Sequence, residues 1–276
     1  MRLHRVGYLS IVSTLVVMFA GTAHAELGQA TPRYADRSMT LSKGTLRIDG
    51  GPSDFGLLDS GAINGRRGLR IGDSGAAGSD TYVSLGVGAA YGIIDGLEVG
   101  ALVLPLQFAP DGVDAYQNPE AYVRYRFLTG NVEVGAQVGA QVPVVDGSDF
   151  GLSFGLPVLV RLGTMGRLDT GAEVELQFAD PDMIASLDIP LALNFSVTEN
   201  ILVGGRTGFY LYDFDFDFYS IKLGVQGGYT IQKGIADITA WFQFPNFLSG
   251  KGVGDGISAD AWEVGVGGNF YVSFLQ

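Results

Sequence analysis

From Asn131 to Val142 the chain alternates without a fault. Every even position is Val or Ala, and every odd one is Asn, Glu, Gln or Gly. A strand sends successive side chains to opposite faces, so this stretch has one apolar face and one that is polar or bare. The same period of two recurs over 41–49, 81–91, 97–108, 120–128, 132–142, 152–162, 168–178, 184–197, 201–211, 218–231, 235–244 and 261–274. A soluble sandwich would bury each apolar face against a second sheet, and no second core is evident. A polar lumen inside an apolar wall accounts for both faces. Each segment is near the ~9–11 residues that cross a bilayer when tilted. The pattern predicts an all-β fold, a transmembrane antiparallel up-and-down β-barrel of twelve strands, with both termini on one side.

The connections fix its orientation. Ile94-Asp95-Gly96, Thr129-Gly130, Gly166-Arg167, Glu199-Asn200 and Lys233-Gly234 read as tight turns and should be periplasmic. The other set should face outside. It includes Gly50–Asp80 and Asn246–Asp260 with three short connections near 144–150, 179–183 and 213–217. Gly50–Asp80 is Gly-rich, carries Arg66, Arg67, Arg70, Asp73 and Asp80, and reads as either a long external loop or an inward-folded constriction.

Residues 1–25 have the marks of a secretory signal peptide. Arg2 and Arg5 precede the apolar run Val6–Ala20, and Ala23-His24-Ala25 gives a small-x-small cleavage site. The apolar run is shorter than the ~20 residues of a membrane-spanning helix. Residues 26–40 are polar, contain Pro32, lack a useful period and read as a periplasmic leader, which leaves 41–276 as the barrel.

Composition then removes whole classes of chemistry. There is no Cys, and His4 and His24 both precede the cleavage site, so the processed chain has neither thiol nor imidazole. Disulfides, Cys or His metal ligands, Ser-His hydrolases and Asp-His proteases are excluded, and no cofactor is expected. A carboxylate pair such as Glu173 and Glu175 is the remaining route to catalysis, but neighbours two apart on one strand face usually meet only solvent or Arg. With Arg2 and Arg5 removed, 15 basic residues face 29 acidic ones, a net charge of −14, and no basic stripe marks a nucleic-acid site. An acidic exterior beside lipopolysaccharide and outer-membrane lipid calls for divalent cations between the anions. The 42 glycines fit strands with bare lumen positions.

Parity puts Glu120, Arg124, Arg126, Glu133, Gln137, Gln141, Arg161, Asp169, Glu173, Glu175, Asp188, Asn194, Arg206, Lys222, Gln226, Asp237 and Glu263 in the lumen. Two readings stand side by side. One is a plug of ion-paired side chains, since buried charges need partners; the other is a charged eyelet in a narrow pore. Twelve strands leave a narrow passage or ligand-sized cavity rather than a wide channel.

The segment 97–108 departs from the rule. The parity carrying Glu98 and Gly100 continues as Leu102, Leu104, Leu106 and Phe108, against Ala101, Val103 and Pro105, so both faces are apolar. Either the long first loop covers this strand, or Leu102, Leu104, Leu106 and Phe108 form a patch for an apolar ligand. Pro105 and Pro119 each remove a ladder donor, and a lateral gap in the wall is the corresponding reading. Asp213-Phe214-Asp215-Phe216-Asp217-Phe218 reads as a hairpin tip in an aromatic girdle, supported by Tyr210, Tyr212 and Tyr219. The alternative is that Asp213, Asp215 and Asp217 hold a hard cation, though their spacing is not that of a Ca²⁺ loop.

Two stretches carry a resemblance. Tyr91-Gly92-Ile93-Ile94-Asp95-Gly96-Leu97-Glu98-Val99-Gly100, followed by Asn118-Pro119-Glu120-Ala121-Tyr122-Val123-Arg124-Tyr125-Arg126-Phe127, resembles the proteobacterial outer-membrane transporter barrels linked to phenol meta-cleavage pathways. The likeness implies passage of small, aromatic compounds across the outer membrane. Trp262–Phe274 resembles the closing strand that outer-membrane proteins present to the barrel assembly machinery, although Leu275-Gln276 follow the terminal aromatic. The expectation is a non-enzymatic channel or facilitated-diffusion barrel for small solutes, with a plugged structural or surface-interaction barrel as the alternative.

Overall fold

The computed structural model describes residues 26–27, 33–50, 68–73, 81–110, 114–179, 181–231 and 234–274. Residues 1–25, expected from the sequence to be a signal peptide, and most of 50–80 lie outside them. The wall is built from β1 (Thr45–Asp49), β2 (Gly68–Asp73), β3 (Tyr82–Ile94), β4 (Leu97–Ala109), β5 (Glu120–Leu128), β6 (Val132–Gln141) and β7 (Gly151–Leu162). It continues through β8 (Gly166–Gln177), β9 (Ile184–Ser196), β10 (Ile201–Leu211), β11 (Tyr219–Ile231), β12 (Ala236–Ser249) and β13 (Trp262–Ser273). From β3 to β12 each strand pairs antiparallel with the next, and β13 closes the ring between β12 and the β1/β2 pair. Because β1 and β2 share one place, the closed barrel has twelve strand positions.

The shared place corrects the reading of 50–80 as loop throughout. On β3, Asp49 stands opposite Gly88 and Gly68 opposite Gly86. On the β13 side Gly50 and Gly268 exchange backbone hydrogen bonds of 2.8 and 3.3 Å, and Leu69 stands opposite Val266. Gly68 thus follows Gly50 in the register of the wall. Gly68 has φ +87°, and a Cβ there would lie 3.0 Å from the Gly50 carbonyl oxygen, so this position needs glycine.

Faces follow the sequence alternation. Val138 is 49% exposed toward the membrane, whereas Gln137 beside it is 1% exposed. Tight turns cluster at one end, where Gly96 (φ +89°) and Gly130 (φ +123°) take left-handed conformations. The turn expected at Gly166-Arg167 falls instead at Gly163–Met165, and Arg167 belongs to β8 with its side chain inside. At the other end β12 runs on to Ser249, so part of the expected 246–260 connection is strand.

A bulge in β4 changes the assignment of its outer half. Gly88 pairs with Leu102 but Val87 pairs with Leu104, leaving Val103 as an extra residue. One extra residue reverses the parity of everything beyond it. Leu102 therefore faces inward, 1% exposed, while Leu104 and Phe108 face out at 43% and 58%. Leu106 stands opposite Leu85 on that same outer face. The expected patch of four apolar lumen residues is not formed.

Candidate functional site

Of the residues expected as a leader, Glu26–Leu27 pair with Val272–Ser273 of the last strand, whereas the stretch from 33 onward lies inside the barrel. Residues 33–42 cross the lumen at the tight-turn end, and the wall holds them mainly by their backbone. Glu133 accepts from the Met39 N–H (3.0 Å) and Ser38 Oγ (3.0 Å), and Glu98 accepts from the Leu41 N–H (2.9 Å). Ser196 Oγ takes the Ala35 N–H at 3.2 Å. In the other direction Arg161 and Arg167 donate to the Arg37 carbonyl, each at 3.1 Å, and Arg124 donates to the Met39 carbonyl at 3.1 Å. Contacts reaching β4, β5, β6, β7, β8 and β9 from one short segment are possible only from within the ring.

Apolar contact with the wall is slight. Met39 packs on Leu159 and Tyr34 on Leu202. Gly135 makes room for the former, because a Cβ there would lie 3.0 Å from Met39 Sδ and 2.9 Å from the Tyr125 carbonyl oxygen.

Arg37 supplies a side-chain anchor built as an ion pair with the wall. Its Nη1 and Nη2 donate to the two carboxylate oxygens of Asp237 at 2.5 and 2.9 Å, and Nη2 also donates to Thr230 Oγ1 at 3.0 Å. The rings of Tyr34 and Tyr271 lie 5.7 and 5.8 Å from the guanidinium carbon. Burial works against the charge, but Tyr271 and Asp237 outweigh it and hold the Arg37 pKa above its ordinary value.

Among the described residues the lumen charges also pair with one another. Arg126 and Arg161 pair with Glu133 at 3.3 and 2.7 Å, Arg47 with Asp49 at 3.0 Å, and Arg167 with Asp169 at 2.6 Å. Asp169 also accepts from Asn194 (3.0 Å), which in turn accepts from Gln226 (2.6 Å). Toward the outside, Glu263 accepts from Tyr82 (2.6 Å), Trp241 (2.8 Å), Gln243 (3.1 Å) and Arg70 (3.5 Å). Glu173 stands opposite Asp188, Glu175 opposite Ser186, Glu120 opposite Gln141, Arg206 opposite Ala192 and Lys222 opposite Gly208. Sequence parity names thirteen of these charges and sets Glu98 on the lumen parity of its strand, but misses Arg37 of the segment and Arg47 and Arg167 of the wall.

At the two prolines the wall is bridged. The Gln117 N–H donates to the Pro105 carbonyl at 2.7 Å and the Val142 N–H to the Pro119 carbonyl at 3.0 Å. Tyr116 Oη donates to the carbonyl of the bulged Val103 at 3.0 Å, satisfying a group the bulge had withdrawn from the ladder. The strand-to-strand ladder between β4 and β5 ends at Leu102 and Glu120, and beyond it these bonds carry the connection across the two prolines. The 213–217 connection is a short 3₁₀ turn in which Asp215 Oδ1 accepts the Asp217 N–H at 2.9 Å. No cluster of three or more metal-binding side chains occurs among the described residues, so Asp213, Asp215 and Asp217 do not converge. Phe214 and Phe216 are exposed beside them.

No family model matches the chain, and no curated protein sequence matches it. Solved structures do. An outer membrane channel from Pseudomonas putida F1 superimposes with a TM-score of 0.53 at 11% identity, covering 86% of this chain and 98% of that one. The NanC porin gives 0.48 at 9% identity, covering 75% and 98%, and Omp33 of Acinetobacter baumannii gives 0.40 at 12%, covering 82% and 96%. The first of these carries the fold: an outer-membrane β-barrel. A closed barrel with an apolar outer face places the chain in the outer membrane of a Gram-negative bacterium.

Proposed function

We propose that the chain is an outer-membrane channel for small solutes, closed at rest by its own residues 33–42 and conducting when that segment is displaced. One observation supports this above the others. The segment is held by hydrogen bonds and an ion pair at the mouth of the barrel, with two small apolar contacts, and it makes no strand ladder with the wall. Polar bonds of this kind exchange for water at modest net cost, whereas an apolar core does not. An aromatic solute, as in the phenol-linked barrels, draws little support from the wall, because Leu102 alone of the four patch residues faces inward. Polar solutes fit the lumen better.

Single-channel recording of the refolded protein in a planar bilayer tests the reading. The expected record is a closed level with brief discrete openings, lengthened when Glu133→Ala weakens the segment's hold. Silence from both proteins, each shown to be folded by heat-modifiable gel mobility, would refute the channel and favour a plugged structural barrel. The packing of Asp169, Asn194 and Glu173, fully buried in the lumen, is what such a barrel would show.

A further inference from the structure

We propose that Asp237, Thr230 and Tyr271 form a receptor for a guanidinium group, filled in cis by Arg37, and that the solutes which displace the segment carry a guanidinium themselves. The inference rests on the channel reading above and names its solute class.

The pocket belongs to the wall, and part of its hydrogen bonding is made within the wall itself. Thr230 Oγ1 donates to Asp237 Oδ1 at 2.8 Å and Tyr271 Oη to Oδ2 at 3.0 Å, so both carboxylate oxygens are oriented by β11 and β13. Asp237 is 4% exposed. Into this frame Arg37 places two nitrogens, one on each oxygen, with a third contact to Thr230. Paired oxygens at fixed spacing match the planar fork of a guanidinium, and an ammonium would satisfy only one of them well. The Tyr271 ring adds an aromatic face that suits a flat cation. Beside the pocket, Arg161 and Arg167 both reach the Arg37 carbonyl, so the wall also reads the peptide group adjoining the guanidinium. Residues 33–42 thus occupy the lumen as an arginine peptide would, and free arginine derivatives compete with Arg37 for the same oxygens.

The test uses the full chain. Arg37→Ala empties the receptor in cis, and methylguanidinium is added as the probe, with binding followed by saturation-transfer NMR. Saturable binding to Arg37→Ala is expected, at least tenfold tighter than methylammonium and at least tenfold tighter than to Arg37→Ala/Asp237→Asn. Tyr271→Phe and Thr230→Val in the Arg37→Ala background keep the pocket's shape and should each weaken binding several-fold, which reads the pocket even where the Asp237 variant does not fold. Absence of saturable binding, equal binding of methylammonium, or indifference to all three wall substitutions would overturn the receptor. In bilayers, N-acetylarginine amide should open the wild-type channel several-fold more often than the citrulline analogue; equal effects would overturn the solute class. Binding is read without current. A folded Arg37→Ala protein that binds the probe while no variant conducts sinks the channel alone, and one that conducts without binding sinks the receptor alone.

Discussion

Glu133 is the residue on which the hold of the inner segment can be measured. Its carboxylate accepts the Met39 N–H and Ser38 Oγ from the segment and pairs with Arg126 and Arg161 of the wall. Replacing it with Ala removes two bonds from a charged acceptor to the segment. A single hydrogen bond to a charged group is worth about 1.5–3 kcal/mol net, so even one of the two corresponds to roughly a tenfold to hundredfold rise in the displaced population. Glu133→Gln keeps a carbonyl oxygen for the Met39 N–H and should fall between. Because the sequence has no cysteine, a single introduced thiol reports without background. Ala35→Cys suits the purpose, since Ala35 is 1% exposed and the change is small. The rate of modification by a hydrophilic maleimide should rise by about that factor in Ala35→Cys/Glu133→Ala over Ala35→Cys alone. Equal rates in two proteins of equal folded yield would show that the carboxylate does not hold the segment.

Two further expectations concern the wall. Leu104→Arg places a charge on the membrane face and should cost about 1–3 kcal/mol in urea unfolding followed by Trp fluorescence; an unchanged midpoint would mean that Leu104 faces the lumen and that the bulge at Val103 is misplaced. Joining Gly50 directly to Gly68 by deletion of 51–67 should leave a continuous strand with intact register and a heat-modifiable folded band, while an unfoldable product would show that the two half-strands need the intervening chain to pair.

Strand positions were legible because each crossing of the membrane demands its own alternation. β5 and β10 run over the residues expected for them, 120–128 and 201–211. What escaped has particular causes. Leu69 and Ile71 do alternate with Arg70 and Gly72, but six residues are too few to cross a bilayer, so β2 is visible only through its partners Tyr82–Gly86 and Trp262–Val266. In β4 the run Leu102-Val103-Leu104 is apolar in both parities, and a bulge within it leaves no mark on the pattern. Residues 33–42 have no period because the wall grips their backbone, and backbone groups are the same in every sequence. The lumen charges were legible as a set, since parity decides their face, but their partners were not, because those lie on strands far apart in the chain.

The latch at Arg37 also bears on how the molecule is made. Its parts come from opposite ends of the polypeptide: Arg37 ahead of the first strand, Asp237 from the penultimate one and Tyr271 from the last. Tyr271 stands opposite Arg47 across the seam where the ring closes. The bonds around Arg37 therefore sit on the three strands that lead up to the seam. Ring closure and the docking of residues 33–42 thus meet on the same last strand, and a substitution that loosens the seam should loosen the latch with it.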